Sequence, residues 1–486
     1  VIFVAKKETS RDIIAQKNKN LRDNKVVWVQ GHFTDLLGHL RSFTCPVEDF
    51  LNGKVWQHGM GFDGSSVRGF RAVDDSDMLA VPDPETLVVL PWGEPEQKTA
   101  RVITDAYESS DFKPFEGDPR YISKKAMEAA QKMGYDKAWI SPELEFYVFK
   151  SMNAAILEND IWSTDSQAGS GSIKVIPELL EHYSASDYFI KPKRGYFAAP
   201  PVDQTNEYRN EFASTLMKLG VPVKYHHHEG GSGQVEIEFK AVPSPVIAAD
   251  FSMLYKFVSK AIAKKYGLLA TYMPKPIFAD SGSGMHAHMF LESKGKPVFY
   301  DKDDEYNLSQ TARYFMGGIL EHAEGMTAIT NPTINSYRRL VPDSEAPVYI
   351  TWSVRNRSSL IRIPAHIDNP SKINCEVRHP DPSANPYLTF AVLLQCGLDG
   401  IKKKIEPGPP INENIYQLSK ERRRELNVKQ LPSSLGDALS KLETDDVVRK
   451  SLGKHSFEQF LKLKWKEWND YCVYVSPWEH YQYFDI

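Results

Sequence analysis

"HHHEGGSGQVEIEF", residues 226–239, places three histidines, three carboxylates and a glycine-rich bend within fourteen residues. Its second half alternates. Glu236 and Glu238 fall on one side and Val235, Ile237 and Phe239 on the other, the period of a strand with one apolar face. Adjacent histidines on a strand point in opposite directions, so at most two of His226, His227 and His228 can share a site. Taken alone, the stretch fits a metal site, a phosphate loop or an ordinary hairpin with a polar face. The rest of the chain has to supply its partners.

Three further segments carry the same period. In "SPELEFYVF" (141–149) Glu143 and Glu145 share a face. In "SGMHAHMF" (283–290) His286 and His288 do. In "INCEVRHP" (373–380) Ile373, Cys375 and Val377 alternate with Asn374, Glu376 and Arg378. A polar face of this kind is most often the solvated side of an antiparallel sheet. Four in one chain, all offering hard metal-type ligands, favour a common site over that reading. Five carboxylates with one histidine suit Mg2+ or Mn2+ better than zinc or copper. Arginines form a second group: "NSYRRLVPDSEAPVYITWSVRNRSSLIRIP" (335–364) holds five, interleaved with apolar residues and prolines as in a groove floor. Guanidinium forks grip carboxylates and phosphates bidentately, and metal ligands with arginines suggest phosphoryl transfer. Neither "GGSGQ" (230–234) nor "SGSGMH" (281–286) is a GxxxxGK[ST] loop, so ATP bound here does without a P-loop.

The 486 residues are 41% hydrophobic and 25% charged, enough apolar material for more than one domain. The net charge of −4 offers no basic footprint for nucleic acid. No apolar run approaches the ~20 residues of a membrane span. "VIFVAKKETSRDII" (1–14) has too short an apolar stretch for a signal peptide. Four scattered cysteines without CxxC argue against a disulfide scaffold and predict a reducing cytoplasm.

Along the chain, "VVWVQGHFT" (26–34) reads as a strand, "DGSSVRGF" (63–70) as a turn-rich loop and "ETLVVLPW" (85–92) as a strand. The run from Lys98 through "FEGDPRYIS" (115–123) reads as a boundary near residue 118, giving domains 1–117 and 118–486. "DPRYISKKAMEAAQKMG" (118–134) predicts a helix with a glycine cap, leading into the strand "AWISPELEFYVF" (138–149). Residues 151–194 show little pattern and predict a long, mobile insertion. "NEYRNEFASTLMKLG" (206–220) predicts an amphipathic helix, and the tail from about 412 is mostly helical. It ends in "DYCVYVSPWEHYQYFDI" (470–486), too aromatic to hang free.

These segments also carry specific motifs: "FDGSS", "KPFEGDPR", "PELEF", "GYFAAPPVD", "HHHEGGSGQVE", "MPKP", "GSGMHAH", "NPTINSYRRL", "EAPV", "RNRS", "IRIP", "EVRHPDPSANPYL" and "GLDGI". In that order they resemble glutamine synthetase of the bacterial and archaeal type I family, from about residue 24 to the C-terminus. The resemblance implies an α+β fold, with a small β-grasp-like N-terminal domain and a large catalytic domain whose curved antiparallel sheet is flanked by helices. It implies ligation of ammonia to glutamate through a γ-glutamyl phosphate, with ATP as co-substrate. Two divalent ions, Mg2+ or Mn2+, are implied per site, one on Glu145, Glu229 and Glu236, the other on Glu143, His286 and Glu376. Ser281, Gly282, Arg339, Glu345, Arg357 and Arg378 would hold glutamate. Lys224, His227, His288, Phe290, Arg357 and Arg362 would face ATP. Asp63, Ser66, Tyr196 and Glu229 would form an ammonium pocket, with Asp63 contributed to a neighbour's site. Glu345 would close over the site as a base, and Arg357 would stabilise the transferring phosphoryl. Glu238 matches no ligand and reads as structural. Two stacked hexameric rings with sites at subunit interfaces are implied, the aromatic C-terminus plugging into the opposite ring.

The chain departs from that pattern where Ser281 replaces an asparagine, Lys224 a glutamate, Phe290 a serine, Ser371 a lysine and Asn374 an arginine. Tyr416 aligns with a residue adenylylated in some relatives, without the Asp-Leu-Pro that follows it there. Two rivals remain: a ligase joining glutamate to an amine or polyamine, and a non-catalytic structural or regulatory relative. Retained Asp63, Ser66 and Tyr196 favour ammonia over the first, and the six retained metal ligands speak against the second.

Overall fold

A computed structural model describes residues 2–150, 188, 190–342, 346–364 and 373–486. The expected insertion at 151–194 falls almost wholly outside the described residues, as do Glu345 and Ser371. The α+β class expected from the sequence is the one observed. A helix, Ile2–Asp23, precedes a six-stranded sheet built from β1 (Val26–Thr34), β2 (Leu40–Pro46), β3 (Met60–Asp63), β4 (Asp77–Pro82), β5 (Val88–Val89) and β6 (Lys98–Glu108). Its order is β2-β1-β6-β4-β3, with β5 on β6 and a parallel pairing of β1 with β6.

Two expectations fail in this sheet. The stretch 98–108, read as part of a boundary, is its longest strand and its centre. Ala100 through Ala106 are all buried, so the strand is covered on both faces and its sequence lacks alternation. "ETLVVLPW" is not one strand. Asp83 caps a 3-10 turn at Pro84–Thr86, and only Val88–Val89 pair with β6.

The second sheet has ten strands: β7 (Lys137–Phe149), β8 (Val223–His228), β9 (Gln234–Phe239), β10 (Leu269–Thr271), β11 (Met285–Ser293), β12 (Lys296–Pro297), β13 (Tyr349–Val354), β14 (Ser359–Ile363), β15 (Cys375–Val377) and β16 (Lys429–Gln430). They run β16-β13-β14-β15-β11-β7-β9-β8, with β10 on β7 and β12 on β11. All pairs are antiparallel except β13 with β14. One face of this sheet is apolar. Leu144 and Phe146 of β7, with Val235 and Ile237 of β9, pack against the helices Asn206–Lys218 and Pro245–Lys265 through Tyr208, Phe212 and Tyr255, all essentially fully buried. Burial of each such side chain contributes about 1.5–3 kcal/mol. The opposite face is thereby left for polar residues. Helices Leu435–Thr444, Asp446–Leu452, Lys454–Cys472 and Pro477–Tyr483 form most of the expected helical tail.

The two sheets meet at Arg120, in the first turn of the helix Pro119–Lys132. Its guanidinium donates to Asp105 of β6 (2.8 Å), to Asp83 (2.8 Å) and bidentately to Asp250 of the helix Pro245–Lys265 (2.9 and 2.9 Å).

Candidate active site

The polar face of the large sheet is assembled by register. Glu143 of β7 lies opposite His286 of β11 on one side and Glu238 of β9 on the other. Glu145 lies opposite Glu236, and Glu236 opposite His227 of β8. His288 lies opposite Glu376 of β15, which in turn faces Arg362 of β14. Directly opposed residues share a face. The four alternating segments are therefore a single surface, the floor of a cavity of about 960 Å³.

On that floor, ligand-type atoms of Glu143, His286 and Glu376 all lie within 4.8 Å of one another, as do those of His227, Glu229 and Glu236, and of Glu143, Glu236 and Glu238. Glu145, expected with Glu229 and Glu236, is held differently. Its Oε2 accepts from Gln234 (2.9 Å) and the Gly284 amide (2.8 Å), while Oε1 stands 4.0 Å from His286 Nε2. Glu238 accepts from Lys224 at 2.7 Å. Of the three consecutive histidines, His227 faces the cavity. His226 meets Arg209, and the His228 ring lies 2.7 Å from the Glu229 carbonyl.

The donor set fits a hard divalent cation. Glu236 Oε1 is buried without a hydrogen-bond partner. Burial, then the neighbouring Glu143 and Glu145, push the Glu236 carboxyl well above its ordinary pKa. Burial and Glu229 push Glu145 up to about 8. Carboxyls this crowded resist ionising together, and a bound cation relieves that. His286 is drawn down to about 4 by burial and by Arg378, which leaves a neutral ring able to ligate. Burial also opposes charge on His288, but Glu143 outweighs it and lifts His288 to about 9.

Arginines border this floor. Arg378 donates to Glu376, and Arg362 Nη1 lies 2.9 Å from the other oxygen of Glu376. Buried Arg339 donates to the carbonyls of His379 (2.7 Å) and Arg378 (3.2 Å). Exposed Arg357 and Tyr196 both line the cavity. Loops from three parts of the chain are fastened by buried Asp280, which accepts from the amides of Lys193 (2.9 Å), Ser232 (2.7 Å) and Ser281 (2.9 Å). Gly195 is needed beside the hairpin, because a Cβ there would come 2.4 Å from the Glu229 carbonyl oxygen. Gly284 is needed likewise, its Cβ falling 2.6 Å from the His286 ring. Ser281 Oγ is buried without a partner and Gly282 lines the wall.

Not every expected residue reaches this cavity. Phe290 lies farther along β11, its ring stacked on Trp139 at 5.8 Å. Asp63 ends β3 in the other sheet, exposed, with its carboxylate accepting from Ser65 Oγ (2.6 Å) and Ser66 Oγ (2.6 Å). Those bonds, with the Ser65 amide, hold its pKa down to about 2. Tyr416 lines the cavity and its hydroxyl donates to the Ala346 carbonyl (3.0 Å). Sequence reasoning passed over Tyr225, Gln234, Lys275 and Asn356, which also line it. Tyr225 was legible, being two residues from His227 on the same strand. Gln234 was legible likewise, two residues before Glu236 on β9, whereas Lys275 and Asn356 sit in loops that only the fold brings together.

The family model for the glutamine synthetase β-grasp domain matches residues 25–109, and that for the glutamine synthetase catalytic domain matches 116–483. Glutamine synthetase of Archaeoglobus fulgidus is 46% identical over 477 residues, 96% of this chain and 96% of that one. Among solved structures, Plasmodium falciparum glutamine synthetase superposes with a TM-score of 0.83 at 26% identity, over 97% of this chain and 98% of that one. A GmaS/ADP complex superposes with a TM-score of 0.81 at 29% identity, over 96% and 99%. A glutamate- and nucleotide-sized cavity floored by carboxylates and rimmed by arginines is the chemistry such a likeness requires, and the chain belongs to the glutamine synthetase family, the glutamate–ammonia ligases.

Proposed function

We propose that the cavity floor binds two divalent ions, Mg2+ or Mn2+, one on Glu143, His286 and Glu376 and the other on Glu145, Glu229 and Glu236, with His227 beside the second. The observation that carries this is the convergence of Glu143, His286 and Glu376, and of His227, Glu229 and Glu236, on one floor, with Glu145 opposite Glu236 in register and Glu236 Oε1 buried and unpartnered. When bound, the ions offset the repulsion between the γ-carboxylate of glutamate and the γ-phosphoryl of ATP. The chain's own groups do the rest. Arg339 and Arg378 orient the glutamate carboxylates, and Gly282 approaches its amino end by its backbone. Arg357 stabilises charge on the transferring phosphoryl, Arg362 and His288 face the phosphates, and Lys224 lies toward the nucleotide. An ADP complex among the superposable structures supports a nucleotide in this cavity. The acyl phosphate so formed carries a good leaving group, which ammonia displaces.

Ammonium is the form present at neutral pH, and it needs an anionic pocket and a base. Glu229 and Tyr196 supply one side of that pocket. Asp63 and Ser66 lie on the other sheet, and in the proposed assembly of two hexameric rings a neighbouring subunit brings them in. Their exposure in the single chain supports this. Glu345 takes the proton and covers the site, excluding water from the acyl phosphate. The domain boundary falls near residue 118, and the working compartment is the cytoplasm.

Phosphate release from ATP and glutamate, measured with ammonium and with a panel of amines, tests the substrate assignment. Ammonium should be strongly preferred; an amine used more efficiently would overturn it. Asp63→Ala and Glu345→Ala oligomers should each be nearly inactive, and co-folded mixtures should regain activity at interfaces pairing two intact halves. No recovery in tag-confirmed mixed oligomers would remove the shared-site model.

A further inference from the structure

The loop that carries Asp63 and Ser66 has an outer polar edge and an apolar back. Behind it, the rings of Phe62 and Phe70 lie 6.4 Å apart, and Phe70 and Phe115 5.3 Å apart. Phe115 meets His455 edge-on at 5.0 Å. His455 belongs to the C-terminal helix Lys454–Cys472, and its Nε2 lies 3.0 Å from the carbonyl oxygen of Gly69, inside the loop. A carbonyl only accepts, so Nε2 carries the proton. A contact spanning 386 residues of sequence thus links the C-terminal helix to the loop. Gly117 leaves room for both rings: a Cβ there would come 2.4 Å from Phe115 and 2.6 Å from His455.

We infer that His455 is a positioning residue for ammonium capture, holding the Asp63–Ser66 loop at the height at which it meets the neighbouring site. This rests on the reading of Asp63 and Ser66 as one wall of the ammonium pocket. Asp63 is exposed: its backbone ends β3 opposite Asp77 of β4, and its carboxylate is held by serines of its own loop, so the orientation of that carboxylate follows the loop. The loop is held at its Asp63 end by the Gly64 amide on the Ser76 carbonyl (2.7 Å), from behind by ring packing, and at its far end by the side-chain bond from His455 to Gly69. Groups assigned to glutamate and ATP stand on the other sheet and its loops and do not share that support. Loss of the bond should therefore weaken ammonium binding selectively.

The test uses the full-length oligomer. His455→Phe keeps a ring against Phe115 and removes the donor; His455→Gln keeps a donor; Gly117→Ala displaces the Phe115 and His455 rings without removing either. His455→Phe and Gly117→Ala should raise the KM for ammonium about fivefold, the worth of one such hydrogen bond, with the KM for glutamate and for ATP unchanged. His455→Gln should stay close to the parent. Asp63→Ala is the reference. If it raises the ammonium KM while the assembled His455→Phe and Gly117→Ala oligomers do not, His455 has no positioning role and the pocket reading stands. If all three KM values move together, or His455→Gln behaves like His455→Phe, the role is merely structural. If Asp63→Ala leaves the ammonium KM unchanged, both readings fall.

Discussion

Two clusters of buried charge in this chain differ in how they close. At the junction of the sheets, Arg120 faces Asp83, Asp105 and Asp250, and Lys124 adds a bond to Asp105 at 2.6 Å. Nε and both terminal nitrogens of Arg120 are engaged. On the large sheet, Glu143, Glu145, Glu229, Glu236, Glu238 and Glu376 crowd together, and only Arg362, Arg378 and Lys224 make direct ion pairs with any of them among the described lysines and arginines. The first cluster satisfies itself; the second holds more carboxyl groups than its own cations match, and Glu145 and Glu236 keep their protons instead. Burying unmatched charge costs stability, so a surplus that persists marks a site and a closed network marks a joint.

That contrast can be broken most sharply at Glu236. Glu236→Ala, and separately His286→Ala, should lower kcat/KM by ~10³-fold or more, about 4 kcal/mol. Titration of divalent ions by calorimetry should weaken in both. Metal-free Glu236→Ala should melt no lower than the parent, since it loses a carboxylate crowded by its neighbours; a lower melting point would mean the surplus is structural. Arg120→Met should behave oppositely. Leaving three carboxylates without their partner should cost ~3–5 kcal/mol, visible as a large drop in melting temperature, while the folded fraction titrates divalent ions as the parent does.

A smaller effect sharpens the same comparison at a third cluster. His322 lies between Asp445 (2.8 Å) and Asp399 (3.1 Å), and Lys403 pairs with Asp399 at 2.9 Å. Burial opposes charge on this ring, yet the two aspartates raise its pKa above 6.5. A raised histidine pKa stabilises fully below the unfolded value and loses that contribution as pH rises through the folded one. His322→Gln should thus cost ~1 kcal/mol at about pH 6 and less at about pH 9, read from melts at the two pH values. A deficit independent of pH would show packing rather than charge at work.

Much of the floor was legible before any fold was known. Alternation alone separated Glu143 and Glu145 from Leu144 and Phe146, and Glu236 and Glu238 from Ile237. Alternation does not say which strands are neighbours, so the coincidence of four faces waited for the registers. The ligand sets and substrate roles came from the family motifs rather than from period. Strand 98–108 was missed because a strand covered on both faces has no polar side to alternate. Arg120 was invisible as a joint, its partner Asp250 lying 130 residues away. His455 gave no local signal at all.

The rung-by-rung pairing of β7 with β9 and β11 has a consequence for how such a chain can change. Because side chains alternate with a period of two, deleting Val235 from β9 would turn Glu236 and Glu238 toward Tyr255 and bring Ile237 and Phe239 to the cavity. A single substitution alters one ligand; a single-residue gap trades the whole row for hydrocarbon. Length changes are therefore tolerable in the connections and not in the strands, and a descendant of this chain can drift in almost every letter while keeping the count between Gln234 and Phe239.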